Sequence, residues 1–154
     1  MSIENVRNYL GRWGRETDII EMNISTATVE LAASALNVIP ARIAKSISLR
    51  GSDDNAIIVV TAGDTKLDNK KFRSYFNFKA RMLSAAEAME HTGHAIGGVC
   101  PFALPPEVTV YLDNSMRRFE TMFPACGSSN SAIELTLTEL EEYSQCKDWV
   151  DVCI

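Results

Sequence analysis

Hydrophobic residues recur along this chain with two periods, one typical of helices and the other typical of strands. Spacings of three and four positions predict helices over 3–13, 25–36, 68–75, 84–93 and 136–147, with a shorter helical turn over 114–118. Ser25 or Thr26 is the expected N-cap of the second helix. The S-x-x-E and T-x-x-E patterns that begin at Ser84 and Thr136 are capping boxes, which mark the starts of two more helices.

Alternating or continuous apolar runs predict the strands, which cover 18–23, 41–49, 56–62, 108–112, 121–126, 132–137 and 148–154. The run AIIVVTA at 56–62 is apolar throughout, as is typical of a strand at the centre of a sheet. A turn over 51–55 joins it to the preceding strand. Because hairpins and helices are mixed along the chain, the sequence predicts an α+β domain around a mixed and mostly antiparallel sheet flanked by helices.

Length and composition indicate one folded domain. Of the 154 residues, 46% are hydrophobic and 23% are charged, which is the range of ordinary globular proteins and excludes a disordered chain or a coiled coil. We therefore expect a single domain over 1–154, in which 1–17 form an N-terminal helical extension.

Charge and cysteine usage exclude several classes of protein. The formal net charge is −5, whereas a protein that coats duplexes is expected to be basic, so we expect no DNA partner. No apolar run approaches the roughly 18 residues of a membrane span, so we expect no membrane contact. The polar N-terminus does not resemble a secretory signal. The four cysteines form no C-x-x-C pair, which favours reduced thiols in the cytoplasm and neither a metal nor another cofactor.

One segment departs from the acidic average. Residues 64–81 carry six basic and two acidic side chains, a local net charge of +4. Beside the aromatic residues of the same segment, these cations could hold a phosphate backbone while a ring stacks on a base. A solvated helix face over core aromatics would give the same pattern. The candidate tRNA-binding residues are Lys66, Lys70, Lys71 and Arg73.

A lysine interrupts the apolar row of the second predicted strand. Period-two alternation places Lys45 on the same side as Ile43 and Ile47. A half-buried ammonium either binds an anionic partner or has a lowered pKa. An edge-strand lysine that extends to water would explain the pattern equally well.

The glycine pair at 97–98, followed by Pro101, is a second candidate site. Glycines allow the backbone to approach a ligand closely, and successive N–H groups can converge on an anion or oxyanion. A plain tight loop is the alternative. Cys100 in this loop could be a nucleophile or a small buried hydrophobe.

Four short motifs, taken in order, resemble a known family. They are A-K-S at 44–46, A-G-D at 62–64, T-G-H-A-I-G-G-V-C-P-F at 92–102 and F-P-A-C-G-S-S-N-S-A-I-E-L at 123–135. Together they are similar to the YbaK/ProX-type aminoacyl-tRNA deacylases, free-standing relatives of the editing domain of bacterial prolyl-tRNA synthetase. The resemblance runs from about residue 18 to the C-terminus.

The resemblance implies a compact α+β domain with a strongly curved sheet. It also implies that the domain hydrolyses the ester joining a wrong amino acid to a tRNA, usually a proline tRNA. It places the family's near-invariant lysine at Lys45, its G-x-x-x-P loop at 97–101 and its glycine-rich segment at 127–129. The expected catalytic residues are Lys45 as a charged anchor and Gly97 and Gly98 as oxyanion donors. The expected substrate-binding residues are Ile96, Val99, Cys100, Pro101, Phe102, Gly127, Ser128 and Ser129.

The family also implies that the substrate's own ribose hydroxyl activates the attacking water. Alanine, cysteine, serine and threonine all fit a small apolar pocket, although alanine-specific members carry a histidine at the position of Phe123. The expected partners are mischarged tRNA and a synthetase that presents it, such as prolyl-tRNA synthetase.

Two other functions stay open on the sequence. The same pocket could bind an aminoacyl end or a free amino acid without catalysis and regulate a partner. A thiol-dependent hydrolase that uses Cys100 is the third hypothesis.

Overall fold

The computed structural model describes residues 2–154, so that Met1, the first residue of the predicted domain, lies outside it. Within this range the α-helices are α1 (Ser2–Leu10), α2 (Val29–Leu36), α3 (Asn69–Phe76), α4 (Ala85–Thr92) and α5 (Leu137–Ser144). The strands are β1 (Ile20–Glu21), β2 (Ile43–Arg50), β3 (Ala56–Ala62), β4 (Thr109–Asp113), β5 (Thr121–Pro124), β6 (Ser131–Ala132), β7 (Leu135–Thr136) and β8 (Asp148–Val150). No helix between residues 2 and 154 has both the length and the apolar character that crossing a membrane requires.

Six strands form one curled sheet in the order β7-β5-β2-β3-β4-β8, and β1 pairs separately with β6. In the large sheet β2–β3 and β5–β7 are antiparallel, whereas β2–β5, β3–β4 and β4–β8 are parallel. The predicted mixed sheet of an α+β domain is confirmed, but antiparallel pairs are not the majority in it. Long connections that contain helices lead into β4 and β8, and such connections allow parallel pairing.

The central strand β3 is buried on both faces of the sheet. Ile58 and Val60 pack into the main core on one face, and Ile57 and Val59 pack into a second cluster on the other. Successive side chains of a strand point to opposite faces, so burial of both faces requires an uninterrupted apolar run. This explains why the predicted bounds 56–62 are also the observed ones.

Two of the three N-caps predicted from the sequence are confirmed. Ser84 and Thr136 each form a complete capping box. The predicted N-cap of α2 is wrong, because Thr28 accepts the hydrogen bond of the N-cap from the amide of Leu31. Thr26 is engaged elsewhere, since both its amide and its hydroxyl donate to the carbonyl of Ser129.

The N-terminal helix is part of the main core. Val6 and Leu10 of α1 are fully buried in it. The hydroxyl of Tyr9 donates to the carbonyl of Tyr143 in α5. The helix continues through a 3-10 turn over Gly11–Trp13, as the apolar spacing predicts, and Gly14 ends it in a left-handed conformation.

Leu10→Ala is therefore expected to lower the free energy of unfolding by about 2–5 kcal/mol, the usual cost of truncating a buried leucine. Leu31→Ala is the matched control, because Leu31 is exposed on α2, and it should change stability by less than about 1 kcal/mol. Urea unfolding measures both. Equal, small effects would show that α1 does not contribute to the core.

Candidate active site

A break in strand pairing shapes the candidate site. On one edge β2 pairs with β3 along its whole length, but on the other edge β5 reaches only Ile43 and Ala44. Farther along that edge, the amide of Leu83 donates to the carbonyl of Ser48 at 3.1 Å. Because backbone direction alternates along a strand, the N–H and C=O of Ser46 point into the gap between these two contacts.

A cavity of about 230 Å³ lies at this gap. It is smaller than the roughly 300–1,000 Å³ of sites for drug-sized ligands, so it suits a small group. Its walls come from the edge of β2, the start of α2, the loop before Cys100 and the strands β5 and β6. Apolar side chains of one core cluster, Val29, Ala32, Ile43 and Phe123, form one wall. The cavity is therefore a small apolar pocket beside an open strand edge.

Four of the residues predicted from the sequence meet in this cavity: Lys45, Ile96, Gly97 and Val99. Lys45 is half-buried, and its ammonium donates to the main-chain carbonyl of Thr65. A lysine ammonium carries three N–H donors, so this bond leaves donors for another oxygen. Lys45 is thus a cationic residue among the mostly apolar lining of the cavity, and its ammonium is anchored at Thr65.

The turn that holds Lys45 is itself fixed. The amide and the hydroxyl of Thr65 both donate to the carbonyl of Ala62, at 3.1 and 2.8 Å. In the same turn, Asp64 receives two hydrogen bonds from the guanidinium of Arg118, at 2.9 and 2.6 Å. These bonds lower the pKa of the Asp64 carboxyl. Asp64 lies near Lys45, but a carboxylate with a lowered pKa is a weak general base.

The two glycines of the loop have different roles. Gly97 lines the cavity with φ of +94°, and within residues 2–154 its amide and that of Val99 find no hydrogen-bond acceptor. Gly98 does not line the cavity, and its amide donates to the carbonyl of Ala95 at 2.9 Å. A side chain on Gly98 would come within 2.8 Å of the backbone of Gly127. Gly98 therefore serves close packing, and its amide, which the sequence predicts as an oxyanion donor, is bonded to Ala95 in this structure.

The next three predicted residues lie away from the cavity. Cys100 and Phe102 are buried in the main core, and Pro101 lines a different surface groove next to Tyr9. Burial raises the pKa of the Cys100 thiol to about 12, so this cysteine is protonated at neutral pH. The structure thus argues against Cys100 as a nucleophile.

The predicted glycine-rich segment lies behind the loop and does not line the cavity. Gly127, with φ of +93°, packs against the backbone of Ser2. The hydroxyl of Ser128 bonds within its own turn, to Ser131 at 2.8 Å. Ser129 packs beside Gly97, since a Cβ built on Gly97 would lie 3.5 Å from the Ser129 Cβ. This segment supports the loop rather than facing the cavity.

Other cavity residues were not selected from the sequence. They include Val29, Ser46, Met82 and Ser131. The position of Ser46 beside Lys45 on a strand is a signal that could have identified it. Nothing local indicates Met82, because its place depends on the pairing of Leu49 with Met82 across the fold.

Of the predicted basic residues, three are free of ion pairs within residues 2–154 and one is engaged. Lys66, Lys70 and Arg73 are exposed. Lys71 is bound to the carboxylate of Asp151 at 3.1 Å and to the carbonyl of Cys153 at 2.9 Å. Lys79, which was not selected, lines a surface groove together with Lys70 and Arg73.

This basic surface, defined as Lys70, Arg73 and Lys79, continues toward the cavity. The amide of Arg50 donates to the carbonyl of Arg81 at 2.9 Å, and Met82, the next residue, lines the cavity. Between residues 2 and 154, no three side chains of His, Cys, Asp or Glu converge where they could hold a metal ion.

His94, immediately before the loop 95–101 that contains Gly97 and Val99, is a buried titratable group that was not selected from the sequence. It is 1% exposed, and its Nε2 lies 2.8 Å from the carbonyl of Phe102. A carbonyl only accepts, so Nε2 carries the proton and Nδ1 accepts from the hydroxyl of Ser2. Burial lowers the pKa of His94 and favours the neutral ring.

Comparison with known proteins gives one consistent result. The sequence profile described as "Aminoacyl-tRNA editing domain" matches residues 24–143. The uncharacterized protein YwhH of Bacillus subtilis (strain 168) is 58% identical over 153 residues, which cover 99% of this chain and 98% of that protein.

More distant relatives carry functional names. One from Enterococcus faecalis (strain ATCC 700802 / V583), named "Putative Cys-tRNA(Pro)/Cys-tRNA(Cys) deacylase EbsC", is 26% identical over 109 residues, 70% of this chain and 66% of that one. A crystal structure described as "a putative trans-editing enzyme for prolyl tRNA synthetase" superimposes with a TM-score of 0.87 at 26% identity. The superposition covers 98% of this chain and 96% of that one.

The buried neutral His94 predicts a loss of stability in acid. Its pKa is lower in the folded than in the unfolded chain, so the unfolded chain binds the proton first and stability falls as the pH drops below about 6.5. The slope contributed by one such group is at most about 1.4 kcal/mol per pH unit. His94→Gln should remove this part of the slope in urea unfolding between pH 7.5 and 5.5. The control His91→Gln should retain it, and an unchanged slope in His94→Gln would contradict the assignment.

Proposed function

The chain belongs to the aminoacyl-tRNA editing domain family, and on this premise we propose that it hydrolyses the ester bond of mischarged tRNA in trans. The observation that carries the proposal is the cavity at the edge of β2, where Lys45 and the loop residues Gly97 and Val99 share one small space. The fold shared with a structure described as a trans-editing enzyme adds support.

The chemistry needs only a few protein groups, because an aminoacyl ester is already activated. Water adds to the ester carbonyl, the negative charge collects on the carbonyl oxygen, and the bond to the ribose oxygen then breaks. The ribose oxygen takes up a proton, and the free amino acid leaves. The amides of Gly97 and Val99 and the ammonium of Lys45 are our candidates for holding the oxyanion.

The general base is assigned to the substrate. Asp64 is a weak base because Arg118 holds it, and His94 is buried with both ring nitrogens occupied. A hydroxyl of the substrate's terminal ribose is therefore our candidate for positioning and activating the water. This assignment leaves the protein the tasks of binding, orientation and charge stabilisation.

The amino acid removed is small. The apolar wall that includes Ala32 and Phe123 admits the side chains of cysteine, alanine, serine or threonine. Such a wall separates near-isosteres by only about 10- to 200-fold, so more than one of them is expected to react. Phe123 replaces the histidine of alanine-specific members, which argues against alanine. Cysteine comes first because one relative is named a putative Cys-tRNA(Pro)/Cys-tRNA(Cys) deacylase, and a proline tRNA is the proposed carrier.

The basic surface is the proposed contact for the tRNA. Lys70, Arg73 and Lys79 line one groove, and the chain leads from it through Arg81 to the cavity at Met82. Lys71 is left out of this contact, because Asp151 neutralises it. So few cations give weak, salt-sensitive binding, which favours presentation of the substrate by prolyl-tRNA synthetase or another synthetase.

Lys45→Met tests the catalytic proposal. This variant keeps most of the apolar stem and removes the charge, so deacylation of mischarged tRNA should fall by at least about 100-fold while the melting temperature stays near that of the parent. Lys147→Met, which removes an exposed lysine away from the cavity, should leave the rate unchanged. Full activity of Lys45→Met would contradict the role given to the ammonium.

Neutralising the basic surface tests the tRNA contact. The triple variant Lys70→Ala, Arg73→Ala and Lys79→Ala should weaken tRNA binding and reduce the slope of log K against log salt by about two, as for loss of three phosphate contacts. Lys71→Ala is the control and should keep the parent's slope, because its ammonium is already paired. Filter binding at several salt concentrations measures both slopes. A triple variant with the parent's slope would show that this surface is a solvated face that does not contact the tRNA.

A further inference from the structure

The imidazole of His94 connects three separate parts of the chain. His94 is the residue immediately before the cavity loop, which is defined as 95–101. Its Nε2 donates to the carbonyl of Phe102, the residue immediately after that loop. Its Nδ1 accepts from Ser2, the first residue of α1. The side chain thus closes both ends of the loop and fastens them to the N-terminal helix.

The ring is itself held in place. The amide of His94 donates to the hydroxyl of Thr92 at 3.1 Å, and that hydroxyl donates to the carbonyl of Ala88 at 2.6 Å. The thiol of Cys100, the titratable side chain that packs on the ring, lies 3.5 Å from Nε2. Because burial keeps this thiol protonated, it places no charge next to the ring. The ring is therefore locked in one tautomer and one orientation.

Ser2 also supports the loop through main-chain packing. A Cβ on Gly127 would lie 2.9 Å from the main-chain carbonyl of Ser2, and a Cβ on Gly98 would lie 2.8 Å from the backbone of Gly127. Ser2, Gly127 and Gly98 thus form three layers in direct contact, with no side chain between them. A displacement of Ser2 is therefore passed to the segment that carries the amides of Gly97 and Val99.

We propose that His94 is a positioning residue, and that its bond with Ser2 allows the N-terminal helix to hold the cavity loop in position. The segment matched by the family profile begins at residue 24, so Ser2 and α1 lie outside it. The consequence for catalysis rests on the proposed function. Loosening the loop would misplace the two amides, which lowers kcat more than it raises KM because these donors act on the transition state.

Ser2→Ala is the first test, because it breaks the bond and leaves no cavity in the core. In the chain made without an N-terminal tag, the amide of Gly98, which is hydrogen-bonded to Ala95, should exchange with deuterium about threefold to tenfold faster, the range expected for losing one hydrogen bond. Ser34→Ala, an exposed serine of α2, is the control and should leave this exchange unchanged. Exchange of the Ser2→Ala loop at the control rate would overturn the proposal.

A double-mutant cycle with His94→Gln separates positioning from general stability. The NH2 group of glutamine can take the place of Nε2 and donate to the carbonyl of Phe102, but no acceptor then stands at the position of Nδ1, so Ser2→Ala should have no further effect in that background. Full additivity of the two effects would overturn the proposal. If the parent shows no deacylation the proposed function fails, while the exchange measurements still decide the role of His94. If the parent is active, Ser2→Ala should lower kcat by a similar threefold to tenfold, with KM nearly unchanged.

Discussion

The break in the pairing of β2 is the constraint on which the rest of the site depends. A strand that is paired with β3 along its length is rigid, yet its second edge is open between Ala44 and Ser48. The cavity occupies this opening, so its shape is set by backbone hydrogen bonds on either side of it. Lys45 lies in the open stretch and lines the cavity, and the carbonyl of Thr65 holds its ammonium.

The loop opposite Lys45 is rigid for a different reason. Its glycines allow backbone to pack on backbone, from Gly98 to Gly127 and from Gly127 to Ser2. The bonds of His94 fix both ends of the loop, and the amides of Gly97 and Val99 find no acceptor within residues 2–154. The site therefore combines a fixed strand edge with a fixed loop, and a small apolar space is left between them.

The sequence predicted the helices and strands better than it predicted which residues line the cavity. The apolar run at 56–62 and the capping boxes at Ser84 and Thr136 are local signals, and the structure confirms the strand and both helix starts that they predict. The motif around 97–101 identified the loop but not its direction, so that Val99 lies in the cavity whereas Cys100 is buried in the core. Likewise Lys71 is paired with Asp151, a partner 80 residues away that no local pattern could reveal.

The most direct test of the account is turnover. A small amount of the protein is mixed with an excess of proline tRNA carrying cysteine, alanine, serine or threonine, and the free amino acid is measured over time. We expect many equivalents of at least one of these amino acids to be released per protein molecule. Binding of the charged tRNA with no release from any of the four would contradict an enzyme and identify a recognition module instead.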